Sequence, residues 1–122
     1  MNCSLCSQYL RSKNSCSGCT IDDPNMPKYC SDCRIRNCAE IQLYAKRFCY
    51  ECGMFPCLRL RQLDKRYRTH YGMSMLENQE IIRSIGLEAF ITLQQERWQC
   101  PTCGGLICVH NRKCKQCGTL RP

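Results

Sequence analysis

The sequence predicts a small, metal-stabilised protein, mostly α, with irregular Cys-rich loops and a C-terminal zinc ribbon. Three observations point there. Fifteen of the 122 residues are cysteine, above the ~8–10% at which cysteine staples a short chain. Twelve of the fifteen fall in six Cys-x-x-Cys pairs. The cysteines are also unevenly spread: residues 1–57 hold ten, residues 58–99 none and residues 100–122 five. That spread predicts a Cys-rich metal-binding module over 1–57, a helical segment over 58–99 and a zinc-ribbon-like module over 100–122.

The pairs are Cys3/Cys6, Cys16/Cys19, Cys30/Cys33, Cys49/Cys52, Cys100/Cys103 and Cys114/Cys117. Two intervening residues let both thiolates of a tight turn face one ion, and two such turns complete a tetrahedral sulfur site. Twelve paired cysteines therefore match three four-sulfur sites. An all-disulfide scheme leaves one of fifteen thiols over. The start, Met1-Asn2-Cys3-Ser4, lacks the basic-then-apolar pattern of a signal peptide, so the expected compartment is the cytoplasm, where structural disulfides are rare. No run of about 18 apolar residues occurs, so no membrane association is expected. A barrel enzyme or a full dinucleotide-binding sheet needs a longer chain.

In the first module, Asp22-Asp23-Pro24-Asn25-Met26-Pro27 reads as a turn-rich connector, because Pro24 and Pro27 block regular structure. An internal echo follows. Cys30-x2-Cys33-x4-Cys38 has the same spacing as Cys49-x2-Cys52-x4-Cys57. The ten residues between the blocks, 39–48, predict a short helix with Ile41, Tyr44, Ala45 and Phe48 on one face, covering a metal knuckle. Spacing names ligand candidates, not partners. Cys3, Cys6, Cys16 and Cys19 make one site and Cys30, Cys33, Cys49 and Cys52 another. Alternatively Cys38 or Cys57 replaces a member of a pair, or the early pairs interleave with the later blocks.

The middle predicts three helices. Leu58, Leu60, Leu63, Tyr67 and Tyr71 form an apolar stripe among Arg59, Arg61, Lys65, Arg66 and Arg68. Asp64 is the single opposing charge, and this segment carries net +4. Gly72 interrupts the helix. Ser74-Met75-Leu76-Glu77 then fits a capping box, in which Ser74 accepts a backbone donor and Glu77 reaches back. Leu76, Ile81, Ile82 and Ile85 are the expected buried residues of the next helix. After a break at Gly86, Leu87, Phe90, Ile91 and Trp98 supply the inner face of a third, over 87–98.

The last module reads Cys100-Pro101-Thr102-Cys103-Gly104-Gly105 and Cys114-Lys115-Gln116-Cys117-Gly118. A glycine after each knuckle lets the backbone turn and aim amides at sulfur. Residues 106–110 predict a strand between the knuckles. Cys108 and His110 alternate along it, as a second metal or redox feature or as a buried thiol beside a supporting histidine.

Three functions fit these residues unequally. The first is a zinc-binding module for a protein or nucleic-acid partner, which the basic residues of the middle helix and the tail residues Arg112, Lys113, Lys115 and Arg121 would meet through charge. The formal charge is +8. Three four-thiolate zinc sites bring it to about +2, so local patches matter more than the total. The alternative is an iron–sulfur protein of electron transfer or metalloenzyme maturation, with clusters in residues 1–57. The Cys-x2-Cys-x4-Cys spacing differs from the ferredoxin run. A catalyst is the least favoured: with only His70 and His110, the chain has no His-Glu-x-x-His, phosphate-loop or nucleophile-elbow motif. No catalytic residue is therefore named.

Cys16-Ser17-Gly18-Cys19, Cys30-x2-Cys33-Arg34-x3-Cys38 and Cys49-x2-Cys52-x2-Phe55-Pro56-Cys57, followed by a Leu-rich Arg-Tyr helix, give the chain a familiar outline. It resembles a family of small, cysteine-rich prokaryotic proteins catalogued as a domain of unknown function. The likeness spans residues 3–71, and a longer form with a terminal ribbon spans nearly the whole chain. Cys3-Ser4-Leu5-Cys6 departs from the Cys-Gly start common in that family. The resemblance implies metal binding and no particular activity.

Overall fold

The computed structural model describes residues 2–19, 23–43 and 48–121. Among the described residues six α-helices follow one another: α1 (Ser7–Leu10), α2 (Lys28–Ser31), α3 (Ala39–Leu43), α4 (Leu58–Tyr71), α5 (Met75–Ile85) and α6 (Leu87–Arg97). Short 3₁₀ turns occupy Cys3–Leu5 and Cys49–Glu51. Among the described residues there is no sheet, only isolated antiparallel bridges at Gln99–Leu106, Ile107–Cys114 and Lys113–Leu120. The protein is thus small and mostly helical, as the sequence predicts. The strand expected over 106–110 is reduced to these bridges. Arg112 sits at φ +56, and the Cys108–Lys113 turn closes at once with Cys108 N–H donating to Lys113 and Arg112 N–H donating to Cys108. A chain that turns this often has no room for a longer ladder.

The chain gathers into two units. One holds Met1–Met26 and Glu88–Pro122; the other is Pro27–Leu87. In the middle unit, α4 and α5 form a hairpin. Gly72, at φ +66, ends α4 in the left-handed conformation that glycine adopts without steric cost. Ser74 caps α5, its hydroxyl accepting from the Glu77 amide at 3.0 Å. The apolar stripe read from α4 is only partly inward: Leu60 is buried, while Leu58 is 63% exposed. Asp64 is buried in its place, 2% exposed. Its carboxylate accepts from Arg68 Nε at 2.6 Å, Ser74 Oγ at 2.6 Å and the Leu76 amide at 3.1 Å. One anionic side chain therefore fixes the start of α5 against α4. On α5, Met75, Asn78 and Ile82 are buried and Ile85 is exposed. Of the helix expected over 39–48, α3 forms Ala39–Leu43; Tyr44 and Ala45, assigned to its apolar face, lie outside the described residues, and Phe48, assigned to the same face, is extended at φ −131.

In the terminal unit, α6 buries Phe90 and Gln94, and Trp98 follows at the same spacing of four. Ile91, expected inside, is 41% exposed. The two chain ends meet here. Leu5 and Val109 are both fully buried, and the Val109 amide donates to the Leu5 carbonyl at 2.9 Å. His110 Nδ1 accepts from the Ser7 amide at 3.1 Å. That bond satisfies one of the free amides at the start of α1.

Candidate metal centre

The ribbon is built from two copies of one backbone device. In the first knuckle the Gly104 amide donates to the Cys100 carbonyl at 2.9 Å, and the Cys100 amide donates to Gly105 at 2.6 Å. In the second, Gly118 donates to Cys114 at 3.1 Å, and Cys114 donates to Thr119 at 2.8 Å. Gly104 and Gly118 hold φ +76 and +77, so the same left-handed turn closes both, at the positions where the sequence supplies glycine.

These turns bring four sulfurs together. Sγ of Cys100, Cys103, Cys114 and Cys117 all lie within 4.8 Å of one another. Cys100–Cys117 is 3.6 Å and Cys103–Cys114 is 3.5 Å. Sulfurs about 2.3 Å from a zinc ion stand about 3.8 Å apart at tetrahedral angles, so the set matches a four-thiolate site. Cys100 and Cys114 are buried; Cys103 and Cys117 are exposed. The Thr119 hydroxyl, 3.1 Å from Cys117 Sγ, and the Thr119 amide bring the Cys117 thiol down to about 6. At Cys103 the Gly105 amide acts downward, but the sulfurs of Cys117 and Cys114 outweigh it and push the thiol up to about 12. Cys117 is thus the readier thiolate of the two. Four sulfurs with no side chain of another kind suit zinc or an iron cluster, and leave no open position for a substrate.

The other cysteines are arranged more loosely. None of the fifteen is in a disulfide. In the terminal unit the Cys19 amide lies 3.4 Å from Cys3 Sγ, and the Gly18 amide 3.4 Å from Cys16 Sγ. A hydrogen bond from the Cys19 thiol lowers Cys3 to about 6 and raises Cys19 in turn. Burial raises Cys6, whose neighbouring charges include Cys3 and Cys108. Cys108 itself is buried, 3% exposed.

In the middle unit the sequence echo is also a structural one. Cys33 donates to Cys30 across the first turn at 3.2 Å, and Cys52 to Cys49 across the second at 3.0 Å. The third cysteine of each block stands one residue before a helix. Its carbonyl accepts the first helical bond, from Gln42 to Cys38 and from Arg61 to Cys57. Burial raises the Cys49 thiol, and the charges of Cys57, Cys38 and Cys52 raise it further. Cys38 and Cys57, unpaired in the sequence, are therefore electrostatic neighbours of Cys49.

The basic side chains singled out on α4 are exposed: Arg59, Arg61, Lys65, Arg66 and Arg68. Arg68 also pairs with Asp64. In the ribbon, Arg112, Lys113 and Lys115 are exposed. Two features escaped the sequence reading. Asp64 registered only as an opposing charge on a basic helix. Arg97 was not singled out, although it directly precedes Trp98 and no acidic residue follows it. The lack of Asp and Glu after it was its available signal.

Fold and site together define a small α-helical protein with a C-terminal four-cysteine metal knuckle of the zinc-ribbon kind. No family model, curated protein or solved structure matches the chain. The knuckle geometry alone carries the class. Among the described residues, no helix is long and apolar enough to cross a membrane.

Proposed function

We propose that this chain is a zinc-organised interaction module, in which thiolate sites hold the architecture and exposed basic side chains meet an acidic partner in the cytoplasm. The closed four-sulfur set of Cys100, Cys103, Cys114 and Cys117 carries the reading. A site with four protein ligands is structural, because catalysis at zinc needs an open coordination position. Two further zinc sites complete the proposal. One takes Cys3, Cys6, Cys16 and Cys19. The other draws on Cys30, Cys33, Cys49 and Cys52, with Cys38 and Cys57 as neighbouring thiols. The cysteine distribution supports a division by role: residues 1–57 load metal, 58–99 connect and 100–122 form the ribbon.

Elemental analysis and a visible spectrum of protein purified without oxygen test the proposal. Three zinc ions per chain and no visible band are expected. Iron with acid-labile sulfide would overturn it in favour of a redox or maturation role. One zinc beside iron would keep the ribbon as stated and move residues 1–57 to iron–sulfur chemistry.

A further inference from the structure

In the terminal unit an open cleft of about 480 Å³ lies between α1 and the second ribbon knuckle. Leu10 and Arg11 line it from one chain end, and Asn111, Lys113 and Lys115 from the other. The bonds that join the two ends, from Val109 to Leu5 and from Ser7 to His110, set these walls together. Among the described residues no carboxylate lines the cleft.

The cations of this region differ in what they already hold. Arg11 is committed: its guanidinium donates to the Asn14 carbonyl at 2.7 Å, to Gln8 Oε1 at 2.8 Å and to the Asn25 carbonyl at 2.7 Å. Arg121, outside the cleft, stacks on Trp98 with its guanidinium 3.9 Å from the ring centroid. Lys113 and Lys115 are different. Among the described residues neither ammonium has a hydrogen bond or an ion pair. The Lys113 stem runs past Gly118, where an added Cβ would stand 3.4 Å from Cε. Asn111 supplies a neutral donor beside them. Its Oδ1 accepts from the Lys113 amide at 3.1 Å, which leaves Nδ2 as the free end of the side chain.

The neighbouring four-thiolate zinc site carries a charge of about −2. Were balancing it the only task of these lysines, their ammonium groups would reach the sulfurs, and neither bonds to one. Two like charges lining one cleft gain instead from an anion shared between them. The donors also narrow its chemistry. Carboxylate recognition favours a guanidinium fork, and the one guanidinium in the cleft is spent. Lysines act as point charges on phosphate, whose oxygens can serve three separate donors. A cleft of this volume falls in the range of small-molecule sites, and Leu10 offers an apolar contact.

We propose that the cleft binds a small organic phosphate, with Lys113, Lys115 and Asn111 on the phosphate group and Leu10 against the organic part. This goes beyond the interaction-module reading, which needs surface charge alone.

The test titrates the full metal-loaded chain with phenyl phosphate, inorganic phosphate and benzoate, and follows affinity by calorimetry and backbone amides by NMR. Phenyl phosphate should bind more tightly than either of the others. Its shifts should centre on residues 10–11 and 111–118. K113Q and K115Q should each weaken it about threefold, and the double variant about tenfold. K113R/K115R, which keeps both charges, should retain binding. K28Q, on α2, should leave affinity unchanged, and metal content should stay constant throughout.

Wild-type affinity in the K113Q/K115Q double variant, or shifts centred elsewhere, would overturn the site. Equal binding of benzoate would overturn the choice of phosphate. Inorganic phosphate binding as tightly as phenyl phosphate would overturn the organic part of the assignment. A mixed-sequence oligonucleotide that displaces phenyl phosphate and binds more tightly at the same amides would overturn the small-molecule assignment in favour of a nucleic acid. No response to any of these anions would overturn the proposal outright, whereas the zinc scaffold is judged separately by metal analysis.

Discussion

The ribbon and the α4–α5 hairpin meet the same need with different chemistry. Both are short pieces with little apolar core of their own, and both converge on one centre. In the hairpin the centre is a carboxylate: Asp64 gathers Arg68, Ser74 and the Leu76 amide. In the ribbon it is four sulfurs arranged for a cation. The carboxylate brings its own charge and needs only donors, which a helix start supplies in plenty. The thiolates repel one another and need an ion between them. The lesson is that the two pieces should fail under different conditions.

The largest expected effect is on the ribbon. Cys100→Ser or Cys114→Ser should release one metal equivalent per chain and unfold the ribbon first, because metal binding and folding of such a module are coupled. Elemental analysis with amide hydrogen exchange checks this. Retained stoichiometry and unchanged protection over 100–121 would refute it.

Asp64→Ala should act on the other piece, costing about 3 kcal/mol by stranding donors around a buried carboxylate site. The metal content should not change. A pH series sharpens the contrast. Burial raises the Asp64 carboxyl, but donation from Ser74, Leu76 and Arg68 outweighs it and holds the group below its ordinary range. A depressed folded pKa means stabilisation that is present above the unfolded value of about 3.9 and lost as pH falls through the folded one. Asp64→Asn should lack that acid-side loss. Parallel unfolding curves for wild type and Asp64→Asn below pH 4 would contradict the assignment.

Smaller effects follow. Ser74→Ala removes a cap and should cost about 1 kcal/mol in denaturant unfolding. Substituting Arg59, Arg61, Lys65 and Arg66 by glutamine should weaken binding to an anionic partner without altering metal content. Identical binding across a salt series would remove α4 from the interaction surface.

How much of this could be read from the chain depends on distance along it. The ribbon ligands were legible because the device is local: two residues between cysteines, then a glycine able to hold positive φ. The α5 cap was legible for the same reason. The apolar stripe of α4 was misjudged at Leu58, which is 63% exposed, because periodicity does not report which face a neighbour covers. Asp64 was undervalued because its partners, Ser74 and Leu76, lie ten and twelve residues away. The pairing of Ser7 with His110 spans 103 residues, and nothing in local spacing signals it. The stacking of Arg121 on Trp98 is hidden in the same way.

The most direct test of the contrast is hydrogen exchange of the full chain before and after chelation. The account predicts that chelation removes protection from the ribbon amides of Cys100, Gly104, Cys114 and Gly118 while the α4–α5 hairpin keeps its own. Protection retained at those four amides, or lost equally from the hairpin, would contradict it.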